Sequence, residues 1–203
     1  TRSISIYTEV ERMSKMCKLD ADKTAVVLGC GMEGLLTVAA LKTLGINKII
    51  VIDKESEKSR AMEFGAWEFI GSHGKNGVAG VKDKIRAAAG DMADAVFICT
   101  DSPMGRNVAR RFMKNSGSIC EMGFLCGWRR TPTARYFEDS MPAGGRFYAA
   151  RDYENCMNFL AKAAEMKLPL YKLITHRYKL EEINEAMWTV VREEGLGIAV
   201  FNR

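Results

Sequence analysis

A chain of 203 residues is long enough to bury a sizeable core as one domain, or as one domain with an appendage. Its composition, 47% hydrophobic and 27% charged, is ordinary for a soluble globular protein. The net charge of +5, with basic residues scattered rather than blocked, suits an anionic small ligand and argues against a nucleic-acid binder. No apolar run reaches transmembrane length and no signal-peptide pattern opens the chain, so the expectation is a soluble, cytoplasmic protein that engages neither membrane nor nucleic acid. The cysteines at 17, 30, 99, 120, 126 and 156 include no C-x-x-C pair, and most sit among apolar residues, which predicts reduced, buried thiols. With only His73 and His176 in the chain, and neither in ligand spacing with a cysteine, a zinc site built from this sequence is not expected.

Apolar positions Ile6, Val10, Met13 and Cys17 predict a helix over 6–17. Asp20 and Asp22 turn the chain into a strand over 24–29, and a helix over 34–44 stops at Gly45. The run K-I-I-V-I-D, 48–53, is an almost continuous apolar strand of the kind buried on both faces of a parallel sheet. A helix over 55–64, a short strand over 67–70, a glycine-rich loop over 71–80 and a helix over 81–89 follow. The next units are a strand over 93–100, a helix over 104–114 capped by Asp101-Ser102-Pro103, and a strand over 118–122. After Gly127 the rhythm breaks into a basic, irregular segment with Arg129, Arg130 and Arg135. A sixth strand over 145–149 and a helix over 152–166 then complete an α/β doubly wound parallel (Rossmann) sheet. The tail carries an amphipathic helix marked by Leu180, Ile183, Met187, Val190 and Val191 and a last strand over 197–201. Its apolar face requires a partner surface.

The most informative run is V-V-L-G-C-G-M-E-G-L-L, 26–36, in which a strand feeds G-x-G-x-x-G and an apolar helix. Gly29 permits the tight turn, Gly31 lets backbone approach a pyrophosphate, and Gly34 lets helix and strand pack closely. The helix N-terminus, from Met32 and Glu33 onward, offers backbone N–H groups and a positive dipole end to phosphates. Asp53 ends the next strand nineteen residues past Gly34, where an acidic residue takes ribose hydroxyls. Ligands of such a sheet bind beyond the carboxyl ends of the strands, here Gly29–Gly34, Asp53, Thr100–Asp101 and Gly123–Phe124.

Together with D-K-E-S-E-K-S-R-A-M-E-F-G-A, A-D-A-V-F-I-C-T and L-P-L-Y-K-L-I-T-H-R-Y-K-L-E-E-I-N-E-A, this run resembles the nucleotide-binding half of zinc-dependent medium-chain alcohol and polyol dehydrogenases. The resemblance covers about 20–127 and 165–203. It implies a lead-in helix over 1–22, an NAD-binding Rossmann domain over 23–168, and a tail over 169–203 that returns to a catalytic domain. It further implies NAD as cofactor, zinc held only in a catalytic domain that this sequence lacks, a small hydroxylated substrate and a homo-oligomer. Carried over by residue, Gly29, Gly31 and Gly34 match the pyrophosphate loop, with Met32 and Glu33 inside it. Asp53 matches the ribose carboxylate that selects NAD over NADP, and Lys58 a basic residue at the same ribose. Thr100 flanks the adenine side, and Gly123, Phe124 and Gly145 match backbone positions near the nicotinamide.

Three residues depart from the family pattern. Glu33 replaces a small apolar residue behind the nicotinamide, Asp101 replaces a glycine, and Ala199 falls where many members carry a basic residue that reaches the pyrophosphate. At an effective dielectric near 20, like charges about 5 Å apart cost roughly 3 kcal/mol, a hundredfold in affinity. Turned to solvent, Glu33 would cost only tenths. Bland readings compete: Lys58 as a solvated helix lysine beside Glu55 and Glu57, His176 as a returning-strand residue, His73 as an exposed loop residue, Met187 and Trp188 as interface core. A non-catalytic NAD-sensing module and, more distantly, a nucleoside-cofactor methyltransferase are the alternative functions.

Overall fold

Near-continuous apolar runs at 24–28, 48–53 and 93–98 form the centre of one parallel sheet because each is buried on both faces and needs helices above and below it. In the computed structural model, which describes residues 2–72, 77–100, 103–122, 149–192 and 196–201, the strands are β1 Thr24–Leu28, β2 Lys48–Asp53, β3 Glu68–Gly71, β4 Ala93–Ile98 and β5 Met113–Glu121. Their order is β3-β2-β1-β4-β5, all parallel, so the chain reverses direction across the sheet between β3 and β4 and leaves a crevice at the carboxyl ends of β1 and β4. Every residue of β1 is buried, as is the Ile49–Ile52 centre of β2. This is the doubly wound α/β architecture expected.

Helices α1 Arg2–Met16, α2 Met32–Thr43 and α6 Ala150–Glu165 pack against one another. Val10 and Met13 of α1 are fully buried, and Tyr7 stacks on Phe159 of α6 with ring centroids 4.8 Å apart. Helix α2 is buried at nine of its twelve positions, which its A-A-L-rich sequence allows. A second core joins alternate strand residues Val26, Leu28, Ile50, Ile52, Val96 and Ile98 to Val81 and Ile85 of α4 Gly77–Ala89 and to Phe112 after α5 Pro103–Ala109. The period-two selection from the strands and the four-residue step between Val81 and Ile85 are the two backbone periodicities at work.

Boundaries differ from the expected ones where local chemistry overrides periodicity. Helix α1 begins at Arg2 rather than at 6, and α4 at Gly77, inside the glycine-rich stretch expected to be loop to 80. The helix expected over 104–114 ends at Ala109 in a 3-10 turn, Arg110–Phe112, and β5 begins at Met113 rather than 118. Met113 pairs with Ala93 and Ser118 with Ala95, so three extra residues of β5 bulge out of the ladder. Between β2 and α3, Lys58–Glu63, a 3-10 turn takes Glu55–Glu57. The strand expected over 145–149 falls almost wholly outside the described residues.

The chain separates into two compact units, Thr1–Leu168 and Pro169–Arg203. The second is a small β-α-β unit in which β6 His176–Lys179 runs parallel to β7 Ile198–Phe201, with α7 Ile183–Val191 between them. Tyr178 Oη lies 2.8 Å from Thr189 Oγ1 and ties β6 to α7, while His176 takes a strand position. Met187, Trp188, Val190 and Val191 of α7 are all more than half exposed. No helix among the described residues is long and apolar enough to cross a membrane.

Candidate cofactor site

The glycine loop leaves the carboxyl end of β1 through backbone positions that other residues would block. Gly29 has φ +101°, the left-handed region that glycine adopts without steric cost, and a Cβ there would lie 2.7 Å from the Cys99 carbonyl oxygen. A Cβ on Gly34 would overlap the Gly29 carbonyl oxygen, so the first turn of α2 sits on the loop only because residue 34 has no side chain. Gly31 is exposed and a Cβ there would meet nothing within 4 Å. Its bareness relieves no contact inside the protein; it leaves open the space in front of the loop. Gly31 caps α2, no side chain caps it, and intrahelical bonding begins with the Leu35 N–H to the Gly31 carbonyl at 3.0 Å. The end of α2 therefore presents backbone donors and the positive end of its dipole to that space.

Asp53 closes β2 beside the loop. Its Oδ2 accepts from the Cys30 N–H at 2.6 Å and its Oδ1 from the Lys54 N–H at 2.7 Å. The carboxylate thus fastens the glycine loop to the end of β2. A carboxylate offers about four acceptor positions, so these two bonds leave capacity for a vicinal diol. The Cys30 thiol beneath is held up at about 12 by burial, with the charges of Asp53 and Glu57 adding to it. Cys99, at the end of β4, is likewise pushed up to about 12, mostly by burial and further by the Glu33 charge. Thr37 Oγ1 donates to the Glu33 carbonyl at 2.8 Å and lies 3.5 Å from Cys99 Sγ. The thiols are therefore neutral packing elements, as their apolar settings predict: four of the described cysteines are buried, Cys17 is half-buried, and all are free.

An open cleft of about 580 Å³ lies at the carboxyl ends of β1, β2 and β4, with Gly29, Asp53 and Thr100 in its wall. Leu28, Ile52, Val78, Val81, Val108 and Phe112 give it apolar sides, while Lys54 and Ser72 add polar groups. Such a wall suits a flat aromatic base held edge-on to a few polar groups. Lys54 and Ser72 escaped the reading of the sequence, although the residue directly after an acidic strand end was the available signal for Lys54. Met32 and Glu33 open α2, both half-buried, with Glu33 in the turn that faces the loop. Lys58 is the first residue of α3, is exposed, and lies 4.0 Å from Glu55; it is not part of the cleft wall. Gly123, Phe124 and Gly145, like Asp101, lie outside the described residues.

The residues present fit a dinucleotide: bare backbone at Gly31, a carboxylate at the strand end, and an apolar cleft beside it. Among the described residues no three histidine, cysteine, aspartate or glutamate side chains are grouped to hold a metal.

Residues 34–162 match the family model described as zinc-binding dehydrogenase. The chain is 29% identical to sorbitol dehydrogenase 1 of Saccharomyces cerevisiae, over 79% of this chain and 46% of that protein. It is 26% identical to the D-xylulose reductase of Scheffersomyces stipitis, over 85% of this chain and 49% of the relative. It thus spans about half the length of the curated relatives it matches. In fold it is similar to an alcohol dehydrogenase from Thermotoga maritima, with a TM-score of 0.83 and 20% identity over 98% of this chain and 55% of that one. A 2R,3R-butanediol dehydrogenase from Bacillus subtilis superposes with a TM-score of 0.71 and 25% identity, over 100% of this chain and 56% of that one. On the family match across more than half its length, this chain belongs to the zinc-binding dehydrogenase family.

Proposed function

We propose that this chain is the NAD-binding portion of a dehydrogenase that oxidises an alcohol, sugar alcohol or related hydroxy compound. Bound NAD supplies the hydride acceptor; this chain's residues hold and orient it. Gly29, Gly31 and Gly34 form the pyrophosphate turn, Asp53 receives the adenosine ribose hydroxyls, and Thr100 borders the adenine. Gly123, Phe124 and Gly145 are assigned to the nicotinamide end. Zinc, proton relay and most of the substrate pocket are assigned to the part of the protein that the relatives carry beyond the span matched here. The tail 169–203 is assigned to packing on that part, which would cover the apolar residues of α7. A hydroxylated substrate follows from the names of the relatives, sorbitol dehydrogenase and D-xylulose reductase. By the same reading the protein works in the cytoplasm as a homo-oligomer.

The observation that carries the cofactor assignment is the Asp53 carboxylate, tied to the glycine loop through the Cys30 N–H and still able to accept from a diol. Asp53 selects against a 2′-phosphate by charge, but Lys54 shares the same cleft wall. Asp53→Asn is therefore expected to weaken NADH binding by about tenfold or more, the usual loss for a charged acceptor. It is also expected to shift preference toward NADPH, because Lys54 remains. Calorimetric titration with both cofactors reads the two effects; an unaltered NADH:NADPH preference would remove Asp53 from this role.

A further inference from the structure

The opposite end of the same sheet carries a second cleft, of about 450 Å³, at the amino ends of β4 and β5. Its cationic wall comes from three elements far apart in sequence: Lys82 and Arg86 of α4, Arg110 and Arg111 of the 3-10 turn after α5, and Lys114 of β5. Asn115 adds an amide, and Asp91 is the one carboxylate in the lining. Lys114 is already engaged, 3.0 Å from Asp94 and 3.9 Å from Asp91, and Asp94 is shared with Lys23 at 3.7 Å. Among the described residues no carboxylate oxygen lies within 4.0 Å of the cationic groups of Lys82, Arg86, Arg110 or Arg111.

Arg86 in the last turn of α4 and Arg110 and Arg111 just beyond α5 complement the negative ends of those helix dipoles, which accounts for these three singly. It does not account for their convergence on one concavity, where they repel one another. The arrangement is favourable when a compact anion of high charge sits between them, because two arginine forks and neighbouring ammonium groups can then share its oxygens. A continuous nucleic-acid backbone would instead call for a stripe of cations along an open surface. We propose that this cleft is a binding site for a compact polyphosphate, inorganic or carried on a nucleoside, separate from the cofactor cleft on the other edge of the sheet.

The test titrates the 203-residue chain calorimetrically with tripolyphosphate, ATP and sulfate at matched ionic strength, with NADH as the reference ligand. Tripolyphosphate is expected to bind more tightly than sulfate and to weaken as salt rises. The pairs Arg110→Gln/Arg111→Gln and Lys82→Gln/Arg86→Gln, on different elements, are each expected to weaken it by about tenfold or more, while NADH affinity changes by less than about twofold. ATP weakened by the same pairs marks a nucleoside polyphosphate as the natural form, whereas tripolyphosphate alone responding marks an inorganic one. Circular dichroism confirms folding, and because the pairs are independent, one disrupted fold leaves the other pair decisive. The proposal is overturned if tripolyphosphate binds no better than sulfate, if Asp53→Asn rather than the cleft pairs abolishes its binding, or if a single-stranded oligonucleotide binds more tightly through the same residues.

Discussion

At Glu33 two electrostatic effects oppose each other. The residue lies in the first turn of α2, where a carboxylate favours the helix dipole by about 0.3–1 kcal/mol. The same turn faces the space before Gly31, where a pyrophosphate would bring negative charge. The second effect is the larger at short range, roughly 3 kcal/mol at about 5 Å. Glu33→Val is therefore expected to tighten NADH binding by up to about a hundredfold while lowering thermal stability slightly. Fluorescence titration and a melting curve check both parts, and unchanged affinity would place the carboxylate away from the phosphates. At this scale the sequence was most legible where backbone sterics dictate residue type. Gly29 and Gly34 are recognisable because any side chain there would strike backbone. Lys54 and Ser72 were not, since nothing in their neighbours marks which side chains a cleft will gather.

Strands and helices were legible in proportion to how fully they are buried. The run K-I-I-V-I-D gave β2 its observed limits, because unbroken apolar character leaves one way to satisfy both faces of the sheet. The start of β5 was obscured because K-N-S-G has no alternation, and Met113 is drawn into the ladder by pairing with Ala93 rather than by propensity. Asp94 organises that region. Its Oδ2 accepts from the Thr24 N–H at 2.9 Å, and its Oδ1 accepts from Lys114 Nζ at 3.0 Å, joining the amino ends of β1, β4 and β5. Burial alone would raise its carboxyl, but the Thr24 amide and then Lys114 and Lys23 more than offset this and hold it below the ordinary range. A depressed native value means stability that is present above the unfolded value and lost as pH falls through the native one. Asp94→Ala is expected to cost about 1–3 kcal/mol at neutral pH. Urea unfolding at neutral and acid pH should show the difference from wild type shrinking as the medium becomes acid; a constant difference would mean that packing, not charge, is lost.

At the scale of the whole molecule, the two edges of the sheet are chemically different. The carboxyl edge gathers bare glycine backbone, one carboxylate and an apolar cleft, whereas the amino edge gathers lysines and arginines. The doubly wound architecture was legible from the alternation of strands and helices, and the placing of the glycine loop and Asp53 at the carboxyl ends of their strands followed from the strand limits. The basic cleft was not legible. Its residues are spread from Lys82 to Lys114 and read as scattered surface charge until the fold brings them together. The second unit was partly legible, its amphipathic helix from periodicity, and β6 only through the resemblance of I-T-H-R to a returning strand.

The central claim is that the carboxyl edge, and not the basic one, holds NAD. At 22.6 kDa the chain suits amide correlation spectra recorded during titration with NADH. The account predicts saturable shifts of the Gly29, Cys30, Gly31, Asp53, Lys54 and Thr100 amides, with Arg86, Arg111 and Lys114 unmoved. Saturable shifts confined to the basic edge, or none at the glycine loop, would contradict it.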